Sequence, residues 1–257
     1  MSTLTTLSRS EFTLLLRNRV LLVNALVMPL LFPVVILVIG RRSEGGLTDV
    51  VVSSALEIFA LFLLVFLVYY NLLSAYTTRR DELVLKRLRT GEATDNQILL
   101  GPAVPSFVLT AILIVVVGAI VVALGGGLPV NPLLLVVGLL GGAVMFAALA
   151  LITSTFTRNA EAAQITSLPI MLLAMAGSSF LRGVVPESAD SIIELTPMAA
   201  VLDLVNLGWM GTIDPESSPL AFADTFSPAL KPALVVAAWI LGSIVIAKTH
   251  FRWEPRG

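Results

Sequence analysis

Long apolar runs separated by short polar stretches dominate this chain. A helix needs about 20 mostly apolar residues to cross a hydrocarbon core roughly 30 Å thick. Six runs fit that requirement, over residues 20–40, 51–76, 103–124, 132–153, 162–180 and 232–248. They are continuous rather than alternating, so they predict helices and not the strands of a barrel. Helices also satisfy their own backbone groups, as lipid demands. The pattern predicts an all-α integral membrane protein, a single transmembrane domain over residues 1–257.

Three segments break the pattern. Residues 1–19 set Leu4, Leu7, Phe12 and Leu15 toward one side, with Arg9, Thr13 and Arg17 elsewhere, which predicts an interfacial helix rather than a polar tail. Residues 77–101 form the one long, densely charged loop. There Leu83, Val84, Leu85 and Leu88 interrupt the charges with an apolar side, and Gly91 follows as a C-terminal cap. Thr94 with Gln97 three residues later fits a capping box, so a second short helix starts there. Residues 181–231 are too polar for one span. Their apolar middle carries Glu194, Pro197, Asp203 and Asn206, which suits short re-entrant helices shielded by protein. Gly125, Gly126 and Gly127 predict a tight turn between the third and fourth spans. Gly141 and Gly142 offer a place where helices approach closely.

Composition supports the membrane reading. Of 257 residues 57% are hydrophobic and 13% charged, against about 25% charged in soluble domains. Mean hydropathy is +0.96. The polar start and the length of the first apolar run argue against a cleavable signal peptide. There is no cysteine, and His250 is the single histidine, so thiolate chemistry and a histidine metal centre are excluded within one chain. No phosphate-binding loop occurs, and we expect no metal and no cofactor in this chain. Nothing suggests nucleic acid as a partner. The abundance of Ala, Val, Leu and Arg reads as bacterial.

Charge sets the orientation. With the N-terminus inside, the inner side holds Arg9, Arg17, Arg19, Arg79, Arg80, Lys86, Arg87, Arg89, Arg158, Lys248, Arg252 and Arg256. The outer side holds Arg41, Arg42, Arg182 and Lys231. That bias places both termini in the cytoplasm.

Two faces carry candidate contacts. In the second span Phe59, Phe62, Phe66 and Tyr69 or Tyr70 recur at helical spacing. In the fifth, Gln164, Ser167, Met171, Met175 and Ser178 share a side. Plain packing against helices or lipid explains such stripes equally well. Glu57 is the main ionisable residue within a span. It reads either as a carboxylate reaching interfacial water or as the centre of an ion-coupled carrier, for which Asp203 is a second candidate. A scaffold or a membrane enzyme is a further alternative, and the enzyme lacks a polar cluster.

The ordered combination of motifs resembles the permease of type-2 ABC exporters over nearly the whole length. The stretch Leu14-Leu15-Leu16-Arg17-Asn18-Arg19 is similar to the family's elbow-helix ending, with Arg19 where proline is usual. The run Asp81-Glu82-Leu83-Val84-Leu85-Lys86-Arg87-Leu88-Arg89-Thr90-Gly91 is the most specific match. Thr94 to Gly101, Thr196 to Asp203 and the tail His250-Phe251-Arg252-Trp253 complete the order. The resemblance implies an elbow helix, six spans and a cytoplasmic coupling helix in which Arg79, Arg80, Asp81, Glu82, Leu85, Lys86, Arg87, Leu88 and Arg89 meet an ATPase. Anchoring to anionic lipid headgroups is the plainer use of such a loop. It implies two copies of a cytoplasmic ATPase subunit holding ATP and Mg, and a second permease in a homodimer or related heterodimer. It also implies that the second and fifth spans line a central path, where aromatics and methionines suit an amphipathic or apolar substrate such as a drug or lipid. A bacterial plasma-membrane location follows.

Overall fold

The computed structural model describes residues 8–13, 17, 19–91, 93–182, 191–251 and 253. Leu4, Leu7, Leu14, Leu15, Leu16, Asn18, Arg252 and Arg256 lie outside the described residues. So does most of the elbow motif. Helix is the only regular structure among the described residues.

After a helical stretch at residues 8–13, the chain forms α1 (Arg19–Glu44) and α2 (Asp49–Asp81). The inner loop holds α3 (Val84–Arg89) and α4 (Asp95–Leu100). Two long helices follow, α5 (Ala103–Ala123) and α6 (Pro132–Phe156). Next come α7 (Ala163–Ala176) and the short α8 (Ser179–Arg182). The apolar α9 (Pro197–Met210) precedes the last helix, α10 (Phe226–His250). Among the described residues five helices, namely α1, α2, α5, α6 and α10, are long and apolar enough to cross a membrane.

The expected fifth span at 162–180 is not one such helix. It is α7, 14 residues counted from 163 to 176 and hence about 21 Å long, interrupted at Ser167 and followed by a turn before α8. The turn has a packing cause. A Cβ on Gly177 would lie 2.5 Å from the Ala199 backbone nitrogen and 2.6 Å from Thr196 Oγ1. The chain breaks where it presses against the start of α9.

Local chemistry sets the element ends. Asn131 accepts from the Leu134 N–H at 3.2 Å, with Pro132 at the first position of α6. Thr196 caps α9, Pro197 follows, and Gly211 closes the helix at φ 75°. Gly125 and Gly127 both adopt positive φ in the expected turn after α5.

α6 and α9 form the centre. Every residue of α9 except Asn206 is buried, as expected for an apolar stretch with polar interruptions that needs shielding. Gly142 permits this. A Cβ there would meet Leu64 and Val201 side chains at 2.9 Å, whereas at Gly141 the nearest atom is 3.6 Å away. Phe59, Leu64, Tyr69, Phe146 and Leu204 fill the space between α2, α6 and α9.

The middle of α2 is unusual. Phe62–Tyr70 is a nine-residue π-helix, between α-helical Asp49–Leu61 and Asn71–Asp81. Most π segments are single turns inside α-helices.

Candidate functional site

The ends of the helices gather at two faces. On the first, Arg79 pairs with Glu11 of the N-terminal stretch. Asp81 Oδ2 accepts from the Ala160 N–H at 3.2 Å in the loop before α7. Arg89 pairs with Asp95 at 3.2 Å and lies over the Trp253 ring, 4.8 Å from its centroid. The N-terminal stretch, both loops on this side and the C-terminal residues therefore share one face.

The charged loop is shaped by one strained residue. Leu83 sits at φ 59°, ψ 15°, a left-handed conformation that costs a non-glycine residue about 1 kcal/mol. It turns the chain out of α2 and into α3. Leu85 is fully buried and anchors α3, while Val84 and Leu88 are half-buried. Glu82, Lys86, Arg87 and Arg89 point outward. Thr90 rather than Gly91 occupies the cap of α3, and the Gly91 N–H donates to Leu88 O at 3.2 Å. The expected capping box is present in both halves. The Thr94 N–H donates to Gln97 Oε1 at 3.0 Å, and the Gln97 N–H to Thr94 Oγ1 at 3.4 Å. Thr94→Ala should cost α4 about 1 kcal/mol. Hydrogen exchange of the 95–100 amides should then speed about fivefold, and unchanged exchange would mean that the cap contributes nothing.

The sequence groups nine residues for ATPase contact, and the structure separates them. Arg80 is 1% exposed. Its guanidinium donates to Ser154 O at 2.7 Å, Thr157 O at 2.5 Å and Arg158 O at 3.4 Å. It satisfies carbonyls that α6 leaves open at its end, and it lies beneath the surface that a docking subunit reaches. Leu85 is likewise internal. Arg79 and Asp81 are engaged with Glu11 and Ala160. The outward set is Glu82, Lys86, Arg87 and Arg89, with Leu88 at its margin.

The aromatic stripe also divides. Phe59 and Tyr69 are buried within the protomer, and Tyr69 donates to Thr153 Oγ1 at 3.1 Å. Phe66 is exposed, and Phe62 and Tyr70 are half-buried. For Tyr69 the π geometry accounts for leaving the line of Phe62 and Phe66, because a 3.6-residue period does not hold across 62–70. Phe62 stacks on Phe66 with centroids 5.4 Å apart and on Phe32 of α1 at 4.8 Å. Phe32 is 42% exposed. Sequence reasoning missed it because α1 carries no aromatic periodicity. On α7, Gln164 and Met175 are exposed and Met171 is half-buried. Ser167 and Ser178 are buried, their hydroxyls donating to Gln164 O at 2.9 Å and Met175 O at 2.7 Å. These two serines thus face away from the open side of α7.

At the second face Glu57 is a clamp. One carboxylate oxygen accepts from the Ser179 N–H at 2.9 Å and the other from the Ser179 hydroxyl. It ties α2 to the start of α8. Arg182 of α8 pairs with Asp203 of α9 at 2.8 Å, and Lys231 of α10 pairs with Glu194. The Trp239 indole donates to Leu195 O at 2.9 Å. Both Glu57 and Asp203 are thus engaged by partners within the chain.

No three His, Cys, Asp or Glu side chains among the described residues converge to hold a metal ion. No curated protein matches this chain. The family model described as ABC-2 type transporter matches residues 2–206. That match covers α1 to α8 and most of α9, including the charged loop, Glu57 and Asp203. With several spans, a shielded short helix and a capped loop helix in the same order, this multi-pass chain belongs to the ABC-2 type transporter family.

Proposed function

We propose that this chain is the membrane subunit of an ATP-driven exporter, coupled to its ATPase through α3. The observation that carries this reading is the outward surface of α3. Lys86, Arg87 and Arg89 of α3, with Glu82 in the turn just before it, offer both charge signs beside Leu85, which is fixed in the bundle. A fixed base with a two-signed rim suits a partner that must both dock and push. ATP and Mg belong to that partner, two copies of which serve two permeases. Six passages, counting the broken α7, put both termini on the cytoplasmic side of a bacterial plasma membrane, in keeping with the arginine and lysine bias. The ladder of exposed Phe32 and Phe66 with half-buried Phe62 between them supports a path for a hydrophobic or amphipathic substrate between the two permeases. Gln164, Met171 and Met175 complete that path from α7.

The test is co-purification with a cognate ATPase and hydrolysis measured in lipid. Glu82→Lys combined with Arg87→Glu should reduce association or transport-linked hydrolysis about tenfold, since each reversal places like charges together. Full association and full hydrolysis in a folded double variant would remove α3 from the coupling role.

A further inference from the structure

We propose that a cleft at the face opposite α3 binds organic cations with an apolar body. The cleft has a volume of ≈ 350 Å³ and lies between the start of α2, α8, α9 and the turn after α9. That size suits a small drug-like molecule. It is separate from the Phe32–Phe62–Phe66 ladder, none of whose residues lines it.

Charge decides the sign of the ligand. Glu57, Asp214 and Glu216 line the cleft, and Arg182 is its single cationic residue. The charge of Arg182 is offset by Asp203, which Nη1 meets at 2.8 Å, while Nε and Nη2 carry no hydrogen bond among the described residues. Glu57 accepts from Ser179, and Asp214 accepts from the Glu216 N–H at 3.1 Å and the Ser217 hydroxyl at 3.1 Å. Those donors are neutral, so neither carboxylate is compensated by a cation. Glu216 is exposed and has no ion-pair partner among the described residues. An anion would meet three carboxylates here, and a cation meets an uncompensated field.

Geometry decides the class. These acids do not converge into a group that could hold a metal ion. They are spread around a wall that also presents Val50, Leu202 and Ile213. Dispersed carboxylates around apolar surface match a delocalised or extended organic cation, which gains contact area as well as charge. A compact inorganic ion gains neither coordination nor burial.

The probe is ethidium, with its fluorescence anisotropy read on the full chain in discs of neutral phosphatidylcholine. Anilinonaphthalene sulfonate serves as an anion of comparable size. Ethidium should bind saturably, and Glu216→Lys should weaken it about tenfold, the order expected for reversing one charge at a partly solvated site. Asp214→Asn should weaken it less, and added salt should weaken it further. Among the described residues the Glu216 side chain is exposed and makes no hydrogen bond or ion pair, so Glu216→Lys reports on the ligand and not on folding. Ethidium affinity that is unchanged in Glu216→Lys, or anion binding as tight as ethidium binding, would overturn the proposal. The measurement needs neither ATP nor an ATPase, so its failure is distinguishable from failure of the coupling role of α3.

Discussion

Replacing Arg80 with alanine should destabilise the protein by about 3–5 kcal/mol, because hydrogen bonds from a charged donor contribute about 1.5–3 kcal/mol each. The side chain is 1% exposed and holds the carbonyls of Ser154 and Thr157 at 2.7 and 2.5 Å. Its loss leaves both carbonyls without a donor in a closed environment, and it leaves a void the size of a guanidinium. Arg80→Lys keeps the charge but not the planar fork, and one ammonium cannot reproduce the spread of contacts. It should fall between wild type and Arg80→Ala. Thermal loss of helical signal in detergent, followed by circular dichroism, orders the three variants. A melting point for Arg80→Ala equal to that of wild type would show that the end of α6 is held by something else. Because Arg80 is internal, the defect should appear in the purified chain without any ATPase. That separates it from defects at Glu82 or Arg87.

Gly208→Ala should be the second large loss, about 3 kcal/mol, at the upper end of what overpacking costs. A Cβ at this position would sit 2.5 Å from the Leu135 backbone nitrogen and 2.8 Å from its Cα. Backbone cannot rotate away as a side-chain tip can. The same contact carries the bond from the Asn131 N–H to Gly208 O at 2.8 Å, so pushing α9 from α6 breaks polar and apolar contacts together. Gly242 of α10 provides the control. A Cβ there meets nothing within 4 Å, so Gly242→Ala should be neutral or stabilise the helix by up to about 1 kcal/mol. Equal melting points for the two alanine variants would contradict the close α6–α9 contact.

Much of the fold is legible in the pattern of apolar runs. The five long helices fall where the runs are, and Thr94 and Gln97 announce the start of α4 through chemistry confined to four residues. The short, shielded α9 is legible too, since Glu194, Asp203 and Asn206 forbid an exposed span. The end of α7 is not, because it depends on Gly177 meeting Ala199 across the bundle, whereas Pro169 marks the break at Ser167 in the sequence itself. Nor is the division of the charged loop. Arg79, Arg80, Lys86 and Arg87 look alike in sequence, and what distinguishes Arg80 is a set of backbone carbonyls more than seventy residues away, as in its bond to Ser154 with a separation of 74. Main-chain acceptors leave no signature in side-chain identity. Glu57 shows the reverse. Its position inside an apolar run marks it for notice, and its partner proves to be the first turn of α8.

The π-helix in α2 acts as a phase shifter. Above Phe62 and below Tyr70 the chain keeps the α-helical period, but nine residues between them advance at a different angle per residue. No single helical wheel describes Asp49–Asp81. Glu57 meets Ser179 in the part of the span before the shift, and Arg80 meets α6 in the part after it. Any residue-by-residue scan of this span has two registers in it. Positions that share a face above the shift belong to different faces below it.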